Sequence, residues 1–194
     1  MRKKLGISFM ILGITLLVFA TTLLFYNNFE DEKAEQQANI LVNSLMSEIK
    51  QNLLTEPEID PFDEEMKIVD IDGYGYIGYL LIPDLNLELP VMDKWDYKRL
   101  KISPCRYYGS IKTDNLVIAA HNYKSHFKYI DQLVPGNEVI FIDMDGNKHV
   151  YFVTSIEILY PNETQKVQDT GNDLTLYTCI YSGKNRIVVK CNKT

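Results

Sequence analysis

The chain has 194 residues, 46% hydrophobic and 24% charged, which excludes a collagen-like, low-complexity or wholly disordered polymer. Its net charge of −6 argues against a general nucleic-acid binder, because phosphate contacts need clustered Lys and Arg. That total hides a segregation: residues 1–29 carry +3, residues 30–72 hold 13 acidic and 3 basic side chains (−10), and residues 73–194 hold 13 acidic and 14 basic (+1). Each stretch therefore reads as a separate piece.

From Leu5 to Tyr26 run 22 mostly apolar positions. At 1.5 Å per residue they make roughly 33 Å of helix, enough for a hydrocarbon core of about 30 Å. Arg2, Lys3 and Lys4 precede the run and Glu30, Asp31 and Glu32 follow it. The positive-inside bias puts the N-terminus in the cytoplasm and the rest outside, with residues 5–26 in the bilayer. A cleaved signal peptide would have an apolar region of only about 7–15 residues, and Val18-Phe19-Ala20 is a poor cleavage site. Residues 1–29 are thus expected to be a basic tail and transmembrane anchor. In residues 29–54, Leu41, Leu45 and Ile49 are spaced by four and Val42, Met46 and Leu53 follow the same face, so the spacing predicts a helix. The next run, Glu56 to Glu65, sets two prolines among acids and reads as an extended linker. Residues 30–72 are expected to be an extracellular helical stalk and acidic linker.

From about Gly75 the pattern becomes short strands between turns. Expected strands are Tyr76 to Ile82, Leu85 to Val91, Leu116 to His121, Glu138 to Asp143, His149 to Leu159, Leu174 to Ile180 and Arg186 to Cys191, with helical stretches at Trp95 to Lys101 and Tyr123 to Leu133. Asp145-Gly146-Asn147 is a hairpin signal, and Ser182-Gly183-Lys184-Asn185 another turn. The run from Asp143 to Asn147 looks superficially like a calcium loop, but Lys148 and Thr154 stand where Gly and Glu are needed. Seven or more strands in about 120 residues suggest a mainly β fold closed into a barrel over residues 73–194, which removes sheet edges.

The chain has three cysteines, at 105, 179 and 191. Side chains alternate along a strand, so Thr175, Tyr177 and Cys179 share one face and Ile187, Val189 and Cys191 share another. If the more apolar faces are the core, Cys179 and Arg186 point away from it, while Cys191 points in. A hairpin of this length brings Cys179 near Arg186, and a permanent positive charge favours the thiolate. A nucleophilic cysteine also needs a proton carrier. His121 ends a strand and can project over a barrel rim, whereas His126 and His149 read as structural. Cys105 and Cys191 are left either as a disulfide or as two free thiols.

Thr175-Leu176-Tyr177-Thr178-Cys179, with Arg186 seven residues on and a strand-terminal His121 upstream, resembles the sortase family. Further matches are Tyr76-Ile77-Gly78-Tyr79-Leu80-Leu81-Ile82-Pro83, Leu89-Pro90-Val91 and Leu116-Val117-Ile118-Ala119-Ala120-His121-Asn122. The resemblance covers roughly residues 74–191, and departs at Ala120, where members usually have Gly. It implies an eight-stranded closed barrel with a few short helices, and a cysteine transpeptidase anchored in the plasma membrane of the Gram-positive envelope; no cofactor or metal ligand is identified, and metal dependence stays open. By this resemblance Cys179 would attack the Thr–Gly carbonyl of an LPXTG-like sorting signal on a secreted protein, His121 would carry the proton and Arg186 would bind the oxyanion. An amine from a peptidoglycan cross-bridge or a pilin lysine would then release the thioacyl group. Asp60-Pro61-Phe62 resembles the Asp-Pro-aromatic lid of pilin-polymerising sortases, but the class stays unassigned and substrate-binding residues are not identified. Two rivals remain at this point: another envelope cysteine peptidase or L,D-transpeptidase, and a non-catalytic membrane-tethered barrel.

Overall fold

A computed structural model describes residues 2–54, 65–160, 163, 166–168, 171–180 and 185–193. The linker 56–64, with Asp60-Pro61-Phe62, and Ser182-Gly183-Lys184 lie outside the described residues. The chain divides into two compact units, Met1–Lys33 and Ala34–Thr194.

In the first unit, helix α1 (Arg2–Leu54, continuing into the second) exposes large apolar side chains such as Ile11, Leu17, Phe19 and Leu24. Among the described residues it is the one helix long and apolar enough to cross a membrane.

The second unit is a barrel with the remainder of α1 packed on it. Its strands are β1 (Val69–Ile71), β2 (Tyr74–Ile82), β3 (Leu87–Met92), β4 (Cys105–Tyr108), β5 (Leu116–Ala120), β6 (Glu138–Asp143), β7 (Lys148–Leu159), β8 (Leu174–Cys179) and β9 (Arg186–Asn192). Hydrogen-bonded neighbours run β2-β3-β4-β5-β8-β9-β7-β6, and a β2–β6 pairing closes these eight into a ring; β1 adds a short edge to the start of β2. The sheet therefore closes as the resemblance implies. Two strands escaped the sequence reading, β1 and β4. Both are short, and β4 meets β3 through the single parallel pair Met92–Cys105.

Alternation sorts the strand residues into two faces. Ile77, Leu80, Leu89, Val91, Leu116, Ile118, Val139, Phe141, Tyr151, Leu176, Ile187 and Val189 fill the interior. On the outside Leu45 and Ile49 of α1 pack with Tyr76, Tyr79, Met92, Cys105 and Met144, flanked by Leu41. The stripe spaced by four on α1 thus covers one outer wall of the barrel, and Leu45 is fully buried there. The barrel closes at Gly78, where φ is +146° and a Cβ would stand 2.1 Å from the Ile142 carbonyl oxygen. A side chain there would collide with backbone, so only glycine lets β2 approach β6 this closely.

The two expected helices are smaller than their periodicity suggests. α2 is one turn (Tyr97–Leu100), started by Asp96, whose Oδ1 accepts from the amides of Lys98 (2.8 Å) and Arg99 (2.7 Å). Tyr123 to Leu133 forms successive turns ending in a 3-10 turn, Ile130–Gln132, rather than a helix. Phe127, Ile130 and Leu133 enter the barrel core, and that burial sets the backbone. Asp143 to Asn147 makes the β6–β7 turn: the Asp143 carboxylate accepts from the amides of Asp145 (3.0 Å) and Asn147 (2.9 Å), and Gly146 takes a positive φ.

Candidate active site

β5 and β8 are parallel neighbours in register Leu116–Leu174 through Ala120–Thr178, so the next residues, His121 and Cys179, follow side by side. β8 and β9 are antiparallel, and Cys179 is the direct partner of Arg186. Adjacent strands are about 4.8 Å apart, so the three residues stand on three consecutive strands across about 10 Å. The alternation that sends Leu174, Leu176, Ile118, Ile187 and Val189 into the core turns Tyr177, Cys179 and Arg186 outward, together with the position of His121. One buried bond ties the two strands just below: the Thr178 hydroxyl donates to the Ala120 carbonyl at 2.8 Å. Past the pair, the Ile180 amide donates to the Asn185 carbonyl (3.0 Å), and Arg186 Nη1 donates to the same oxygen (3.2 Å). Ala120 itself is buried in a regular strand without a positive φ, so alanine serves at a position where glycine would also fit.

The three thiols are all free, and they differ. Cys105 belongs to the cluster under α1 and Cys191 to the barrel interior, so they lie on opposite faces of the sheet wall and do not pair. Burial pushes each of these thiols up to about 12. Cys179 is half-buried and belongs to neither cluster. It is the one described thiol placed for chemistry with a dissolved substrate.

His121 is half-buried, and burial, then Lys101, lower its pKa below that of a free imidazole. Its ring stacks on Tyr123 with centroids 4.8 Å apart. Beside Cys179 runs an aromatic row: Tyr177 meets Tyr107 edge-on at 5.1 Å, and Tyr107 meets Trp95 at 5.2 Å. Burial, then Tyr107 and Cys179, raise the Tyr177 phenol far above its ordinary range, so it stays protonated. Sequence reading found neither the row nor the Tyr123 stack, since both join residues by tertiary position; the only hint was the aromatic density around Tyr107-Tyr108 and Trp95. Of the other two histidines, His126 lies behind Tyr123 and His149 lies in another part of the barrel. His149 shares a 2.8 Å hydrogen bond with Asp143 in the β6–β7 hairpin, and His126 is fully buried. A groove of about 660 Å³ lies between residues 35–39 of α1, the Pro83–Leu85 turn and Lys124–Ser125; its walls include none of His121, Cys179 and Arg186.

The family model for the sortase domain matches residues 80–194, more than half of the chain. The chain belongs to the sortase family. Sortase A of Bacillus anthracis is 28% identical over 165 residues, covering 80% of this chain and 78% of that protein. Among solved structures, a sortase C of Clostridium perfringens with the C-terminal cell wall sorting motif gives a TM-score of 0.54 at 22% identity, covering 90% of this chain and 98% of that one. The sortase D5 transpeptidase of the same organism gives 0.59 at 18% identity, covering 79% and 98%. These structures bear on the fold, a closed eight-stranded sortase barrel. This sortase is accordingly a transpeptidase of the sortase type, and its apolar helix together with its family supports membrane anchoring.

Proposed function

We propose that this sortase cleaves an LPXTG-like sorting signal through a thioacyl intermediate on Cys179. The acyl group then passes to an amine of the cell-wall cross-bridge or of a pilin lysine. The supporting observation is the register of β5, β8 and β9, which gives His121, Cys179 and Arg186 neighbouring places on one face.

In this reading the Cys179 thiolate attacks the Thr–Gly carbonyl carbon. A C–S bond forms, the C–N bond breaks, and His121 delivers a proton to the departing amine. The acceptor amine later attacks the thioester, His121 takes its proton back, and Cys179 leaves as the thiolate. Arg186 donates to the oxyanion in both steps. Its guanidinium stays charged at any working pH and its donors are fixed in a fork, and such a donor is often worth ~10²–10³ in rate. The half-buried setting that makes His121 a weaker base also makes its protonated form a better acid for the amine. Residues 5–26 anchor the chain with its N-terminus in the cytoplasm and its barrel outside, following the basic tail.

The test incubates the protein in detergent micelles with LPXTG-type peptides and an amine acceptor, and reads Cys179 by mass spectrometry. A peptide acyl adduct at Cys179, discharged by the amine, is expected. No adduct with any sorting signal would refute this reading and favour a barrel that only binds. Arg186→Ala should lower turnover by ~10²-fold with little change in melting temperature; a variant that is simply unfolded would remove Arg186 from the mechanism.

A further inference from the structure

Beyond the end of β5 three rings stand in a row. The His121 imidazole lies on the Tyr123 ring with centroids 4.8 Å apart and planes only 26° from parallel. The His126 ring lies 5.4 Å from Tyr123, tilted by 47°. The backbone holds the row together. Phe127 donates its amide to the His121 carbonyl (3.2 Å), and the Tyr123 carbonyl accepts from His126 (3.0 Å) and Lys128 (3.1 Å). His126 is fully buried, and neither of its ring nitrogens has a hydrogen-bond partner among the described residues. It therefore stays neutral: burial, then His121, push its pKa down to about 3.

With His126 held neutral, His121 is the histidine of this row left to carry a proton. Among the described residues, the groups that face it are Tyr123 and His126 from its own loop, Lys101 from the segment after α2, and Cys179 from β8 by register. Burial and Lys101 both oppose a proton on its ring. The face of an aromatic ring carries negative potential and attracts a cation stacked on it. Among the described residues, Tyr123 is the one neighbour whose stacking favours the protonated ring.

We propose that Tyr123 is a positioning residue for the proton carrier: braced by buried His126, its ring fixes the plane of the His121 imidazole and stabilises that imidazole when it holds the proton destined for the leaving amine. The inference rests on the reading of His121 as that carrier. A loose imidazole would sample several rotamers, each a lost opportunity for transfer, whereas a stacked one is limited to rotations within the stack. His126 contributes shape rather than charge, filling the space behind Tyr123 as any flat neutral ring would.

The experiment follows the histidine ring signals by NMR against pH in the full chain in detergent micelles. His126→Phe and His149→Gln assign the signals. In Tyr123→Leu the ratio of protonated to neutral His121 at a given pH should fall about two- to fivefold. Formation of the Cys179 acyl adduct should slow by a similar factor, with KM for the sorting peptide unchanged. Tyr123→Phe, which keeps the ring, should restore both. Should Tyr123→Leu fail to fold, Tyr123→Met fills the space without an aromatic face. The same His121 titration with and without the ring overturns the proposal, and so does a Phe variant that behaves like Leu. The titration reads the ring pair whether or not the chain turns over. His121→Asn, expected to abolish formation of the Cys179 adduct, separately tests the reading beneath.

Discussion

Replacing Thr178 with valine keeps the volume of the side chain and removes one hydroxyl at a position 1% exposed. That hydroxyl donates to the Ala120 carbonyl at 2.8 Å and joins β8 to β5 one residue before Cys179 and His121. A buried neutral hydrogen bond is worth about 1 kcal/mol net, and a carbonyl left short of its donor raises the cost to about 1–2 kcal/mol. For a unit of this size each kcal/mol moves the melting temperature by about 2–4 °C, so the valine variant should melt about 2–8 °C lower. Thr178→Ser supplies the contrast, because it retains the donor and gives up a buried methyl at a comparable cost of about 1 kcal/mol. Calorimetry of both variants, with acyl-adduct formation at Cys179 measured alongside, separates stability from registration of the two strands. Comparable melting with a slower adduct only in the valine variant is the expected pattern. A valine variant that melts within about 1 °C of the parent and acylates at the same rate would refute the assigned role of this bond.

Other outcomes follow from the packing and the charges. Leu45→Ala removes a fully buried side chain between α1 and the barrel wall, and should cost about 2–4 kcal/mol by denaturant unfolding; no loss would mean that residues 34–54 do not brace the barrel. Native protein at pH 7.5 treated with a thiol reagent should label Cys179 alone, since burial holds Cys105 and Cys191 near 12; stoichiometric labelling of either would contradict their burial. For Asp143, burial pulls the pKa up, but hydrogen bonds from His149 and Asn147 outweigh it and the net direction is down. A depressed carboxyl contributes stability above its unfolded value and loses it as the pH falls through the folded one. The gap between the parent and Asp143→Asn should therefore be full at about pH 6 and narrow below about pH 4, and a gap independent of pH across that interval would rule the ion out as its source.

Much of the site was written in strand parity. Alternation along 174–179 and 186–191 alone turned Cys179 and Arg186 outward and Cys191 inward, and the register pairs the first two directly. The approach of His121 was legible only as a motif, because nothing local in Leu116 to Ala120 specifies a partner strand lying beyond β6 and β7. β4 went unseen because Cys105–Tyr108 is four residues behind Pro104, with a charged Arg106 inside it, and it is recruited to the sheet by its neighbours rather than by its own pattern. The helix expected at Tyr123 to Leu133 shows the opposite failure. The apolar spacing of Phe127, Ile130 and Leu133 is real, but it serves burial in the barrel core through successive turns rather than a helix.

The parallel pairing of β5 with β8 also bears on when this protein becomes reactive. The bonded residues Ala120 and Thr178 are 58 positions apart, and β6 and β7 lie between them in the chain. Bringing the ends of so long a segment together costs roughly 3.5 kcal/mol in chain entropy, which is repaid only as the intervening hairpin and β9 settle into the sheet. The hairpin of β8 and β9 holds the sequence-local pair Cys179 and Arg186, while the approach of His121 requires β5 to pair with β8. Cys179 and Arg186 are thus neighbours within one hairpin, whereas Cys179 and His121 are neighbours only across this long-range pairing. In the proposed mechanism, completion of the β5–β8 pairing is therefore the step that brings the thiol and its proton carrier together.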